Sequence, residues 1–442
     1  MNGILAMNLL PDLRPHTIPL TVQSMKSSVA WLLCEKLLRV LNGIFVVAAV
    51  ARHLGPESFG YLSIAFATIG IFSAAAGMGA EHINISQLAK HAELDQLVFN
   101  SVLWTRIAWG TLVTTGAVVF LLLQNAGTID PTYLILLTAV PMAAFSLFAN
   151  KIAAHAEFKA LSILAITGLL FGSTIRLFGV TKGYGVEYFA GCMVIEAAVT
   201  TILNGAYLFK RYESRPTPFR TDMNLMRSYF HQCLPTAISA ALITIYLRIE
   251  LFVVWHSLGQ EAAGQWAAAM MFLTPWGMVA SAILPVANQI LSRKQLDPGS
   301  DYGKQMVLLI RFMLAISFVF VLINILIVGI LAPVLLGKKY ISIVSVVAIC
   351  SVGLIPLFMG SVQEIWIAHQ GITKVVLKKV IIGLPLSVLL LWSGAVLYGL
   401  PGIAVAMVVS NFVTALLLNF VLDREFIFLQ LRALGLKYGR TN

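Results

Sequence analysis

The stretch Ile316–Ile330, ISFVFVLINILIVGI, decides the fold of this chain because it contains no charged residue. A second uncharged run, VIIGLPLSVLLLWSGAV, covers Val380–Val396. About 20 predominantly apolar residues span a hydrocarbon core, where only helices or a closed barrel satisfy the backbone polar groups. A membrane barrel strand alternates in hydrophobicity over about 10 residues. Neither run alternates, so both predict transmembrane helices.

The rest of the chain has the same character. Of its 442 residues, 59% are hydrophobic and 11% are charged, and the mean hydropathy is +0.88. Soluble domains carry about 25% charged residues. The sequence therefore predicts an all-α polytopic membrane protein with about twelve spans, near residues 28–50, 60–80, 98–123, 131–154, 160–180, 185–208, 233–256, 263–290, 305–332, 342–368, 376–398 and 402–422.

A recurring motif indicates that the spans form two similar halves. Leu54–Gly60 reads LGPESFG, and Leu258–Gly264 reads LGQEAAG 204 positions later. Membrane transporters are commonly built from such repeats, with substrate bound between them. We therefore expect two six-helix bundles around a central cavity, related by a pseudo-two-fold axis along the membrane normal. The predicted parts are an N-terminal tail (1–27), a first bundle (28–208), a linker (209–232), a second bundle (233–422) and a C-terminal tail (423–442).

The distribution of Lys and Arg between loops predicts the orientation in the membrane. With a cytoplasmic N-terminus, the loops on the cytoplasmic side hold 20 of these residues and the opposite loops hold four, Arg52, Lys182, Lys338 and Lys339. Positive charges are enriched on the cytoplasmic side, so both termini are predicted to be cytoplasmic. This bias accounts for most of the net charge of +11. Because the cations lie between spans, they do not indicate nucleic-acid binding.

Motifs for catalysis or nucleotide binding do not occur in the sequence. It has no Walker loop, no HExxH and no GxSxG. The four cysteines have no paired spacing and predict neither a disulfide framework nor a metal site. We therefore expect a protein that is not an enzyme, with no catalytic residue, no metal and no cofactor.

Ionisable residues inside the predicted spans are the candidate site residues. A central charge costs about 2.5–3.5 kcal/mol on insertion scales, so such a residue usually faces water or a partner. Arginine suits a phosphate or pyrophosphate because its planar guanidinium binds two oxygens at once. The predicted substrate-binding cations of the cavity are Arg39, Arg106, Arg176, Arg248 and Arg311.

Three further expectations concern these charges. Arg39 and Arg248 are predicted to face each other's half across the cavity. Glu250 and Glu364 are predicted to couple a cation to transport. Structural alternatives are open for these arginines. Arg39 can pair with Glu35, four residues away on the same helical face, and Arg248 can pair with Glu250. Arg176 and Arg311 lie near the ends of their spans and can extend to the membrane surface.

The motifs, taken together, resemble those of the O-antigen and oligosaccharide flippases of the multidrug/oligosaccharidyl-lipid/polysaccharide exporter superfamily. The most specific is the run Ala51–Gly60, ARHLGPESFG. Further matches in the same order are the segments 31–39, 245–250, 336–340 and 398–402, so the resemblance covers about residues 26–425. The family often has Asp where Glu250 stands, which keeps the charge. The chain departs further at Asn84–Gln87, where the family often has Arg, and at Phe148–Lys151, where it often has a Trp/Phe–Gln–Gly run.

The resemblance implies a flippase for polyprenyl-pyrophosphate-linked oligosaccharide. It would move O-antigen or exopolysaccharide units across a bacterial inner membrane by alternating access, coupled to an ion gradient. Its implied partners are the lipid-linked oligosaccharide, membrane lipid, and a polysaccharide polymerase and chain-length regulator. Two alternatives stay open: a cation antiporter for drugs or metabolites of the same superfamily, and a membrane-embedded glycosyltransferase or ligase of the same pathway. The antiporter calls for an acidic cavity, and the enzyme calls for sizeable outer loops.

Overall fold

The computed structural model of the chain describes residues 22–90, 95–124, 127–212, 221–295, 301–372 and 374–435. These segments are almost entirely helical and contain no strand, which confirms the all-α prediction. In chain order the α-helices of the described segments are α1 (Val22–Ala76), α2 (Glu81–Lys90), α3 (Asp95–Gln124), α4 (Pro131–Leu137), α5 (Ala139–Met142), α6 (Leu147–Ala154), α7 (Phe158–Lys182), α8 (Val186–Tyr212), α9 (Met223–Leu258), α10 (Gln260–Gln295), α11 (Tyr302–Leu336), α12 (Ile343–Ser351), α13 (Leu354–Gln370), α14 (Lys374–Phe412), α15 (Asn419–Leu422) and α16 (Arg424–Ala433).

By length and composition alone, several segments built from these helices and their short connections are long and apolar enough to cross a membrane. The described residues contain eight such helical segments, and a ninth if α12 and α13, bent by 40° at their junction, form one span. The helices α1 and α14 change direction at Gly55 and Gly399, so each carries two of the predicted spans. Every predicted span lies largely on a helix, and the membrane architecture is confirmed. The count of twelve crossings stays a prediction.

The break at Gly55 has a counterpart in the other half of the sequence. Gly55 has φ 77° and ψ 168°, and Gly259, between α9 and α10, has φ 88° and ψ −173°. Side chains disfavour this backbone region, so glycine is the residue that turns the chain here. The two residues hold equivalent positions in the predicted repeat and take the same conformation.

The second part of α1 crosses α10 in direct backbone contact, at the end of the bundle that contains Gly55. A Cβ atom on Gly60 would overlap the carbonyl oxygen of Gln260, and a Cβ atom on Gly264 would overlap that of Pro56. Each contact maps onto the other when the repeat positions are exchanged. This reciprocal crossing supports a two-fold relation between the predicted bundles, whose full extent stays a prediction.

Two hydrogen bonds reinforce the contact between the predicted bundles at the same end. The hydroxyl of Tyr340, a buried residue, donates to the carbonyl of Ala51 at 2.9 Å. The guanidinium of Arg52 donates to the carbonyl of Val334 at 3.1 Å. The end of α1's first part is therefore held against the end of α11 and the turn that follows it.

Helix α9 packs on both predicted bundles. Near its start, Tyr229 donates to the side chain of Asn84 at 2.8 Å, and Thr236 donates to the carbonyl of Met78 at 2.8 Å. Farther along, Tyr246 and Glu250 line a cavity within the second bundle, and Trp255 and His256 line a cavity between α9 and the first bundle. The helix therefore contacts the first bundle near its start and faces both bundles near its end.

Helices extend into the predicted linker and tails. Residues 209–212 belong to α8, and residues 223–232 belong to α9, which Asp222 caps by accepting from the backbone N–H of Asn224 at 2.8 Å. Within the predicted C-terminal tail, residues 424–433 form α16. Residues 1–21, 213–220 and 436–442 lie outside the described part. The predicted domain boundaries stay predictions, and both described ends of the predicted linker are helical.

Candidate functional site

A cavity of about 470 Å³ lies between α9, α13 and α14. Glu250 of α9 and Glu364 of α13 both line it. Glu250 is half-buried and Glu364 is exposed to the cavity. The structure thus brings together the two carboxylates that the sequence indicates for ion coupling, although 114 positions separate them in the chain.

Lys379 of α14 supplies a positive charge to the same cavity. Its ammonium group donates to the side-chain oxygen of Gln363 at 2.5 Å. The amide nitrogen of Gln363 donates in turn to Asn419 at 2.9 Å and to the carboxylate of Asp423 at 3.2 Å. The indole of Trp366 also donates to Asp423, at 3.3 Å. The lysine therefore extends the cavity into a buried polar network that ends on an acid.

A π-helical turn at Val413–Leu417 makes this network possible. Its hydrogen bonds run from residue i to residue i+5, and the carbonyl of Ala415 accepts from two side chains, Asn419 at 2.7 Å and Gln430 at 3.2 Å. Gln430 lies on the short helix α16, whose first turn is capped by Asp423. Turns of this kind are rare and frequent at functional sites. Here the turn connects the C-terminal helix to the wall of the cavity.

A larger cavity of about 1000 Å³ lies between the first predicted bundle and α9. The second part of α1, the end of α3 and the start of α4 form one wall, and Ile245–His256 of α9 forms the other. We call this space the aromatic cavity, because six of its lining residues carry phenyl, phenol or indole rings: Tyr61, Phe72, Phe120, Tyr133, Phe252 and Trp255.

The five predicted arginines are spread over the molecule, and none lines either of these two cavities. Arg39 pairs with Glu35 at 2.9 Å, as the structural alternative predicts. Arg176 pairs with Glu196 at 2.6 Å. Arg248 is exposed, and its charge acts on Glu250 two residues away. The structure does not gather these cations around one binding site, and their role in substrate binding stays a prediction.

Arg106 and Arg311 have backbone partners. Arg106 is 1% exposed and donates to the carbonyls of Gly77 at 3.1 Å and Ala143 at 2.9 Å and to the hydroxyl of Ser146 at 2.8 Å. Arg311 donates to the carbonyls of Ala433 at 3.0 Å and Arg432 at 3.2 Å. The burial of Arg106 does not fit a cavity-lining position, because its donors join three segments of the first bundle. Arg311 caps the end of α16, where a cation is favourable.

Arg106→Ala and Arg248→Ala are expected to fail in different ways. The first leaves buried carbonyls without a donor, at a cost of about 1–3 kcal/mol for each unsatisfied group, and should lower the amount of protein in the membrane. The second, at an exposed position, should leave that amount unchanged while lowering surface polysaccharide. Arg248→Lys should restore part of it. Immunoblots of membrane fractions measure the amount of protein, and polysaccharide assays measure export. Together they distinguish a loss of protein from a loss of transport. Equal loss of protein in both Ala variants would make Arg248 structural as well.

Lys379 is the site residue that sequence reasoning missed. The loop-charge argument places it among the cytoplasmic cations, yet it also falls inside the predicted span 376–398. Its position inside a predicted span is the signal that could have identified it, because a lysine within a span usually faces a partner or a cavity. Gln363 carries no charge, and its position beside Lys379 depends on the packing of α13 against α14.

Comparison with known proteins agrees with this architecture. A family model described as polysaccharide biosynthesis protein matches residues 25–290, which is more than half of the chain. The succinoglycan biosynthesis transport protein ExoT of Rhizobium meliloti (strain 1021) is 24% identical over 280 residues. This alignment covers 61% of the chain and 54% of the relative, so the chain spans about half the length of the curated relative that it matches.

Solved transporters share the fold. An inward-facing multidrug resistance MATE family transporter of the MOP superfamily superposes with a TM-score of 0.66 at 17% identity, covering 91% of this chain and 95% of the other. A MOP superfamily transporter from Pyrococcus furiosus, in which the reverse polarity of the binding pocket suggests a different function, superposes with a TM-score of 0.57 at 14% identity, covering 94% of this chain and 95% of the other. The chain belongs to the polysaccharide biosynthesis protein family, and it has the fold of the MOP-superfamily transporters.

Proposed function

We propose that this protein is a flippase for polyprenyl-pyrophosphate-linked oligosaccharide. It acts as a transporter and not as an enzyme. The single observation that carries the proposal is the family match over residues 25–290. The transport protein ExoT, a relative from a polysaccharide pathway, supports it further. The two halves would alternate between an arrangement closed at the Gly55 end and one that is open there, carrying O-antigen or exopolysaccharide repeat units across the bilayer.

Coupling to an ion gradient is assigned to the cavity that contains Glu250, Glu364 and Lys379. Two carboxylates and one lysine leave one negative charge unbalanced, and a proton or a sodium ion would neutralise it. An intramembrane acid needs such a partner because its isolated charge is costly in the bilayer. The two glutamates lie on different helices, α9 and α13, so a cation held between them favours one helix arrangement over another. Differential binding of this kind is what couples an ion to a conformational change.

The proposed location is the bacterial inner membrane, with both termini in the cytoplasm. The polysaccharide polymerase and the chain-length regulator are the proposed protein partners, because the flipped units must be polymerised after crossing. Membrane lipid is the third partner, since basic cytoplasmic loops attract anionic headgroups.

The orientation gives a prediction for topology reporters. A fusion after Arg215 should be active only with a reporter that works in the cytoplasm, and a fusion at Thr128 only with one that works in the periplasm. The reason is the excess of Lys and Arg in the loops assigned to the cytoplasm. Activity of the opposite reporter at both positions would reverse the orientation.

The experiment that tests the proposed function is a gene deletion followed by analysis of lipid-linked intermediates. The deletion strain should lose surface polysaccharide and accumulate the unpolymerised lipid-linked repeat unit on the cytoplasmic side of the membrane. There the unit is protected from periplasmic enzymes and from membrane-impermeant reagents. Expression of the intact chain should reverse both effects. A deletion strain with normal polysaccharide and no accumulated intermediate would contradict the proposal.

A cation antiporter is the second candidate, and one observation favours it. The cavity between α9, α13 and α14 has two glutamates and one lysine among its lining residues, and a cationic substrate needs acidic partners. The same deletion strain decides between the two. An antiporter's loss would raise sensitivity to lipophilic cations and leave surface polysaccharide unchanged.

A further inference from the structure

We propose that the aromatic cavity is the subsite that holds the sugar rings of the transported oligosaccharide, separate from any site for its pyrophosphate. This inference rests on the proposed function, since it takes a carbohydrate as the substrate. The observation behind it is the composition of the wall. Six rings, supplied by four helices, line a space of about 1000 Å³, at the upper end of the roughly 300–1,000 Å³ typical of ligand pockets.

Five of the rings form two groups, one that joins the two walls and one that lies on the wall formed by the first predicted bundle. Tyr61 makes an edge contact with Tyr133, with ring centroids 6.1 Å apart, and a tilted contact with Trp255 at 6.4 Å. Phe72 and Phe120 form a second group, with centroids 5.6 Å apart. Phe120 is 46% exposed despite its size. Aromatic faces carry negative potential and attract the positive edges of C–H groups, which a pyranose presents on its apolar face.

The polar groups of the wall suit hydroxyls better than phosphates. None of the residues that line this cavity is Lys or Arg, and its ionisable side chains besides the tyrosines are Asp130 and His256. The carboxylate of Asp130 accepts from the backbone N–H of Thr132 at 2.8 Å and lies beside the hydroxyl of Tyr61. A carboxylate has about four lone-pair sites, so Asp130 keeps acceptor capacity for a ligand hydroxyl. The same negative charge would repel a pyrophosphate.

The aromatic cavity lies between the two predicted bundles, so the binding of a sugar there depends on how the bundles are arranged. Tyr61 directly follows Gly60, where α1 crosses α10, and Trp255 lies four residues before Gly259. The crossing of α1 and α10 therefore adjoins the cavity along both walls. One wall belongs to the first predicted bundle and the other to α9, so a rearrangement of the bundles changes the distance between the rings. A sugar that contacts both Tyr61 and Trp255 would lose one of these two contacts when that distance grows.

The test measures binding of a free sugar chain by the full-length protein in lipid nanodiscs. The probe is the repeat-unit oligosaccharide released by mild acid from the host's lipid-linked intermediates, which carries no lipid and no pyrophosphate. The wild-type protein should bind it, and inorganic pyrophosphate should not displace it. Trp255→Leu and Phe120→Leu should each weaken binding on the order of tenfold, as expected for buried aromatic anchors. Trp255→Phe, which keeps a ring, should stay within a few-fold of wild type.

Trp392→Leu is the matched control, because this indole is 46% exposed and lines neither cavity. It should bind the oligosaccharide like wild type. Equal binding by the wild type, Phe120→Leu and Trp255→Leu would overturn the sugar subsite and leave the flippase assignment intact. Failure of the wild-type protein to bind the probe would overturn it too, as would ring-dependent binding of tetraphenylphosphonium in place of the sugar. Failure of the proposed function would appear separately, as normal polysaccharide in the deletion strain.

Discussion

Glu364→Gln is expected to reduce surface polysaccharide at least tenfold while leaving the amount of protein in the membrane unchanged. The side chain is exposed to the cavity and its exchange for an amide of similar shape leaves packing intact. What disappears is one of the two negative charges beside Lys379. A cation that binds through both carboxylates then loses the interaction that distinguishes one arrangement of the helices from the other.

The charge at Glu250 allows a graded version of the same experiment. Glu250→Gln should match Glu364→Gln, whereas Glu250→Asp, the residue that related flippases often carry, should keep most of the export. Glu425→Gln is the control, because this exposed carboxylate lies on α16 and lines neither cavity. Quantifying lipopolysaccharide or exopolysaccharide against an immunoblot gives the comparison. Full export by both glutamine variants would remove the ion-coupling role of this cavity.

The second large effect is expected at the crossing of α1 and α10. Gly60→Leu and Gly264→Leu each place a side chain where the facing backbone already lies, so the two helices must separate or the chain must misfold. Overpacking costs about 1–3 kcal/mol where neighbours can move, and more is expected here because the obstructing atoms are backbone. Both variants should lose export, and detergent-solubilised protein should melt at a lower temperature.

Gly70→Leu is the matched control for the crossing. Gly70 lies in the same part of α1, and nothing occupies the space within 4 Å of its Cβ position. This variant should retain both the melting temperature and the export of the wild type, because leucine is also the better helix former. If Gly70→Leu were as damaging as Gly60→Leu, the general bulk of the side chain and not the backbone contact would be responsible.

Much of the fold was predictable because the bilayer imposes a simple pattern on a sequence. Uncharged runs such as Ile316–Ile330 are long enough to span the core, and helices are the way to satisfy their backbone, so the all-α architecture followed from composition. The repeated LGxxxxG motif identified equivalent positions because the turn at Gly55 and Gly259 needs glycine. The helical linker ends and α16 were missed, since charged interfacial helices lack an apolar span signal.

The site was predicted less completely. Glu250 and Glu364 were identified from their cost in the membrane, and the structure places both on one cavity. The arginines were harder to interpret, because the free-energy cost of a charge in the membrane is the same whether the side chain binds a ligand or donates to backbone carbonyls. Arg106 does the latter. The aromatic cavity gave no sequence signal. Its rings come from four helices, and a membrane protein contains aromatic residues in most of its spans.

The two cavities do not share a lining residue, and this separation has a kinetic consequence. A driving ion and a sugar chain that occupy different compartments cannot exclude each other by direct overlap. Raising the ion concentration should therefore change the maximal rate of flipping more than the concentration of lipid-linked sugar needed for half of that rate. An excess of soluble oligosaccharide should inhibit competitively against the lipid-linked sugar and non-competitively against the ion.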